Sequence, residues 1–208
     1  MLRALVAATL FAPAALCAQA DIALVDLVSG DVTYGSPRGR VTQYMKVREG
    51  DRFTIARGGQ VRLMYFQSAK QEHYSGPASF TVGASGGKLH SGAQPRVTNV
   101  PTVVPGRLSR IPELVQHAKL GGVALRGNPK PRAEDSVLRN ARADYDRLRR
   151  DAAGDDITPE LFLFSALADY HRYDEMGRLA DEMLRKQPNN EDVKTLAAWV
   201  RTQSEGVK

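Results

Sequence analysis

The sequence has little of what builds metal, redox or nucleophilic chemistry. Its 208 residues include one cysteine, which excludes a disulfide framework and a paired-cysteine zinc site. Four histidines, at 73, 90, 117 and 171, are scattered without ligand spacing, so no metal centre is expected. No segment reaches the roughly 18 apolar residues that a transmembrane helix needs. No serine lies in a G-x-S-x-G elbow. Gly83-Ala84-Ser85-Gly86-Gly87-Lys88-Leu89 fails as a phosphate loop, because the glycine spacing is wrong and Leu89 stands where Ser or Thr must hold magnesium. A glycine hairpin is expected there instead. Asp151, Asp155 and Asp156 flank Gly154 without calcium-loop spacing and read as solvated or capping charges. No cofactor is expected, and nothing supports catalysis. An enzyme of an unrecognised class stays the remote alternative, since folding can pair carboxylates from distant segments.

The N-terminus carries the clearest signal that is present. Arg3 is followed by an apolar run from Ala4 to Ala15 and by Ala18-Gln19-Ala20. That is the three-part pattern of a secretory signal peptide over residues 1–20, cleaved after Ala20. Lipid attachment at Cys17 is not expected, because Leu16 stands where a small residue is needed.

Charge divides the rest. Residues 21–132 hold 16 Lys and Arg against 7 Asp and Glu; residues 133–208 hold 12 against 16. Such asymmetry marks a domain boundary, placed near residue 132. Export makes nucleic acid an improbable partner for the basic half. An anionic surface or polymer suits it better, with plain solubility as the bland alternative.

Residues 21–132 read as short strands between Gly, Pro and Asp turns. Phe53 and Ile55 alternate with Arg52 and Thr54; Val61, Leu63 and Tyr65 alternate with Arg62, Met64 and Phe66; Phe80 and Val82 share one face. Strands of four to seven residues at this turn spacing indicate an all-β sandwich or roll. Ser91 to Val104 reads as loop, Leu108 to Ala118 as helix with Pro112 near its start, and Val123 to Gly127 as a last strand. The aromatics Tyr44, Tyr65, Phe66 and Tyr74, among Arg48, Arg62 and Lys70, form the candidate binding set. Core packing is the competing reading. With both faces of 61–66 apolar, that strand is either sandwiched centrally or exposes a sticky patch.

The order Gly30-Asp31-Val32, Val47-Arg48-Glu49-Gly50-Asp51, Gly59-Gln60-Val61-Arg62-Leu63, Gly76-Pro77-Ala78 and Val82-Gly83 resembles the FecR-type periplasmic domain. The likeness covers Leu24 to Gly87. It departs at Gln67-Ser68-Ala69-Lys70, where the family has an Asp-Gly-Ser/Thr hairpin. The resemblance implies a fold and a periplasmic binding module. It does not imply the family's signalling circuit, because the cytoplasmic domain and membrane helix of that circuit are missing.

Residues 133–208 read as helices. Val137, Leu138, Ala141, Tyr145 and Leu148 form an amphipathic stripe, and Thr158-Pro159 reads as an N-cap with Pro at the first helical position. Leu163, Leu167, Tyr173-Asp174-Glu175, Ala180 and Pro188 resemble one tetratricopeptide unit, with Phe164 and Met176 departing from its pattern. A plain helical bundle is the alternative, because one repeat cannot bury its own face. The expectation is an α+β protein: an N-terminal all-β FecR-like domain, then a small TPR-like helical domain. Its expected function is non-catalytic docking of an envelope protein or anionic ligand, with cell-wall glycan binding as the alternative.

Overall fold

The computed structural model describes residues 20–35, 39–121 and 134–205. The expected signal peptide, Cys17, the strand at 123–127 and the boundary near 132 lie outside the described residues.

Ten strands come first: β1 (Asp21–Ser29), β2 (Val32–Tyr34), β3 (Gly39–Arg40), β4 (Lys46–Arg48), β5 (Arg52–Ile55), β6 (Gln60–Tyr65), β7 (Lys70–Ser75), β8 (Ala78–Val82), β9 (Gly87–Ser91) and β10 (Arg96–Asn99). They form two antiparallel five-stranded sheets. Sheet A runs β10-β7-β6-β1-β4 and sheet B runs β3-β2-β5-β8-β9. The alternation read in the sequence sets the inner faces. Ala23, Val25, Val47, Val61, Leu63, Tyr65 and Tyr74 of sheet A pack against Val32, Phe53, Ile55, Ala78, Phe80 and Val82 of sheet B. At the centre Tyr74 stacks on Phe80 at 3.8 Å, and Phe80 stacks on Phe53 at 5.1 Å. Gly83 N–H donates to the Gly86 carbonyl at 3.0 Å, closing the glycine hairpin expected there.

The helices are α1 (Val103–Leu108), α2 (Ile111–Lys119), α3 (Glu134–Asp151), α4 (Thr158–Ala168), α5 (Tyr173–Lys186) and α6 (Glu191–Glu205). Every residue of α4 is buried, which explains why its sequence is apolar all round. Helices α1, α3 and α5 pack around it, and α6 lies between α5 and α2. The helical core also contains Leu24, Tyr44 and Met64, from β1, the β3–β4 connection and β6. The helices therefore cover the outer face of sheet A, and β6 is buried on both faces. This decides the sequence question: the second apolar face of 61–66 is sandwiched, not exposed.

At the level of class the molecule is mixed α+β, as expected. Two local readings need correction. Ser91 to Val104 is not all loop, since it contains β10 and the start of α1. All four residues of β10 are exposed, so no hydrophobic period announces the strand. Thr158 is not the N-cap either. It is the first helical residue, after Ile157, and its amide donates to Asp156 Oδ1 at 2.9 Å.

Candidate functional site

The seven sequence-selected residues do not share one surface. Tyr65 and Tyr74 are fully buried inside the sandwich, where the Tyr74 hydroxyl donates to Glu72 Oε2 at 2.7 Å. Gly87 N–H donates to the same oxygen at 2.8 Å. Tyr44 and half-buried Phe66 belong to the helical core. Arg48 is exposed at a sheet edge and pairs with Asp21 at 3.1 Å, while Lys70 opens β7 half-buried. Only Arg62 enters a charged constellation, and it is a closed one.

A β-bulge builds that constellation. The register of β1 against β6 slips between Val25 and Leu27, which leaves Asp26 beside Arg62 on the helix-facing side. Arg62 Nε donates to both Asp26 oxygens at 3.0 Å, and its Nη2 donates to Asp156 Oδ2 at 2.8 Å and Thr158 Oγ1 at 3.1 Å. Gln71 Nε2 donates to Asp26 Oδ2 at 2.6 Å. Asp26 is 1% exposed and Asp156 6%. Burial pushes the Asp26 carboxyl up to about 6, against the pull of Arg62. Burial also acts on Asp156, but Arg62 and the bonds from Thr158 outweigh it and hold that carboxyl below its ordinary value. The cluster thus joins sheet A to the start of α4; Asp156 is not solvated, and by accepting the Thr158 amide it takes the capping role that was the other half of the sequence reading.

One other buried charge and one half-buried charge are closed in the same way. Glu160, fully buried on α4, is held by Arg149 of α3 at 3.2 Å and Lys186 of α5 at 2.6 Å. Asp169 takes Arg107 and, at 2.6 Å, Arg110, tying the end of α4 to α1 and the turn after it. These groups hold helices together, and each of these carboxylates is engaged by a cation. Among the described residues no group of His, Cys, Asp and Glu is arranged to hold a metal ion.

Two depressions mark the helical side. One of about 540 Å³ lies at the α4–α5 turn, lined by His171, Tyr173, Glu175, Arg178 and Ser204 among others. A smaller one of about 210 Å³ lies between Tyr44, Gln116, Lys119 and Asp192. The Tyr44 backbone has φ 64, and its buried hydroxyl has no hydrogen-bond partner among the described residues.

Among the described residues, the surface left open is the outer face of sheet B. Pairing aligns Arg40, Thr33, Thr54, Ser79 and Ser91 as one cross-strand row. A second row holds Arg52, Thr81 and Lys88. His90 Nε2 lies 2.7 Å from Thr81 Oγ1, and the Ser79 and Ser91 hydroxyls are 2.9 Å apart. The five strands contain no Asp or Glu. The flanking carboxylates Asp31, Glu49 and Asp51 sit in turns, and Asp51 Oδ2 already accepts the Arg48 amide at 2.8 Å. Arg40, Arg52 and Lys88 are exposed and make no ion pair among the described residues. Sequence reading missed this face because it sought aromatics. The available signal was the polar half of each alternation, Arg52 and Thr54 in β5 and Ser79 and Thr81 in β8.

Compared with protein families, curated proteins and solved structures, the chain matches none. Among the described residues no helix is long and apolar enough to cross a membrane.

Proposed function

We propose that this is a non-catalytic binding protein of the cell envelope, exported to the periplasm, that docks an anionic ligand on the outer face of sheet B. One observation carries the reading: this face is open, cationic and free of carboxylates, while the equivalent face of sheet A is spent on the helices. The signal-peptide pattern and the resemblance of residues 24–87 to the FecR-type domain support the location and the binding role. In this reading the helices serve as an adaptor's second contact, through the outward sides of α3 and α5. Their inward sides are already occupied by α4 and α6.

A photo-crosslinking residue at Thr54, on the free face, and another at Asp181, on the outside of α5, test this in the native envelope. Adducts at Thr54 that disappear when cations of the face are reversed support the reading. Adducts at Asp181 alone sink it.

A further inference from the structure

We infer that the ligand of the sheet B face is a linear acidic polysaccharide lying across the strands. This inference rests on that face being the docking site. Neighbouring strands are about 4.8 Å apart, so the row from Arg40 to Ser91 spans roughly 19 Å. Arg52 and Lys88 lie two strands apart in the second row, about 10 Å along the same direction. An extended chain whose acid groups recur on that scale meets both cations in turn, with Arg40 beyond them.

The residues between the cations decide the kind of chain. Thr33 and Thr54 each offer a hydroxyl that donates and accepts, while the Ser79–Ser91 pair and Thr81, bonded to His90, keep part of that capacity. A polyhydroxylated polymer uses both roles at every sugar. Apart from His90, the outward positions include no aromatic or aliphatic side chain, because Tyr34, Phe53, Phe80 and Leu89 all turn into the sandwich. Protein interfaces are enriched in Tyr, Trp and Arg hot spots, and of these the face supplies only arginine. The absence of Asp and Glu from the strands removes the repulsion that an acidic chain would otherwise meet.

The full-length protein is titrated with polygalacturonate, with neutral dextran and with poly-glutamate, at low and at moderate salt. Polygalacturonate is expected to bind and to weaken as salt rises, with dextran about tenfold weaker or worse. The double variant R52E/K88E is expected to lose about tenfold or more. K194E/R201E, an equal charge change on α6, stays near wild type. T54A/S79A, which leaves the charge unchanged, loses severalfold on polygalacturonate but not on poly-glutamate. Circular dichroism of each variant checks that it is folded. If poly-glutamate binds as tightly as polygalacturonate while R52E/K88E still weakens both, the sugar inference fails and the docking face survives. If R52E/K88E binds like wild type, or no polyanion binds at low salt, both fall.

Discussion

Arg62 is a residue whose loss the fold tolerates poorly. Replacing it with methionine keeps much of its packing but leaves Asp26 and Asp156 buried without their cation. The expected cost is about 3–5 kcal/mol, read from urea unfolding of Arg62→Met beside wild type. Arg48→Ala, which removes an exposed pair with Asp21, should cost less than about 1 kcal/mol in the same assay. Asp26 makes a separate prediction. Its carboxyl titrates near 6 in the folded chain because burial disfavours the charge, against an ordinary 3.8. Between those values the folded chain keeps a proton that the unfolded chain has released. Its contribution to stability is therefore largest at low pH and falls as pH rises toward 6. Asp156 and Asp169, held below their ordinary values, work the opposite way and lose stability as pH falls. Comparing wild type with Asp26→Asn isolates the first effect. The advantage of wild type over the variant should shrink by on the order of 2–3 kcal/mol from pH 4 to pH 7. A constant difference would mean that Asp26 is ionised throughout.

Among the elements, the β1–β2 and β5–β6 turns meet at two glycines with different duties. Gly30 has φ 72, and a Cβ there would lie 2.9 Å from Gly59 Cα. Gly58 has φ 80 but open space around it. Gly58→Ala should cost about 1 kcal/mol from backbone conformation alone. Gly30→Ala should cost clearly more, because the two turns must also separate; paired urea melts read the difference. These turns were legible in the sequence because glycine and aspartate announce them, as were β5 and β8, whose apolar residues alternate cleanly. Strand β10 was not, since all its side chains face water. The Asp26–Arg62–Asp156 cluster was not either: its members are 36 and 94 residues apart in sequence, and nothing local marks Asp26 as different from any other strand aspartate. The free face was half legible, in the residues between the apolar positions that drew attention first.

For the whole molecule, the decisive fact is that Leu24 and Met64 of the sandwich sit in the helical core. The charge split between residues 21–132 and 133–208 suggested two units, yet their packing is shared. Thermal unfolding followed by fluorescence of Trp199, the only tryptophan and packed in the helical core, should therefore coincide with unfolding followed by far-UV circular dichroism. Two separated transitions would show that the seam contributes little. The same seam sets valency. With one sheet face sealed by helices and the other proposed as the docking face, each copy would offer an extended polymer a single footprint. Such a molecule decorates a chain side by side but does not staple two chains together. Mixed with a long polyanion, it should give clear solutions of loaded strands rather than a gel.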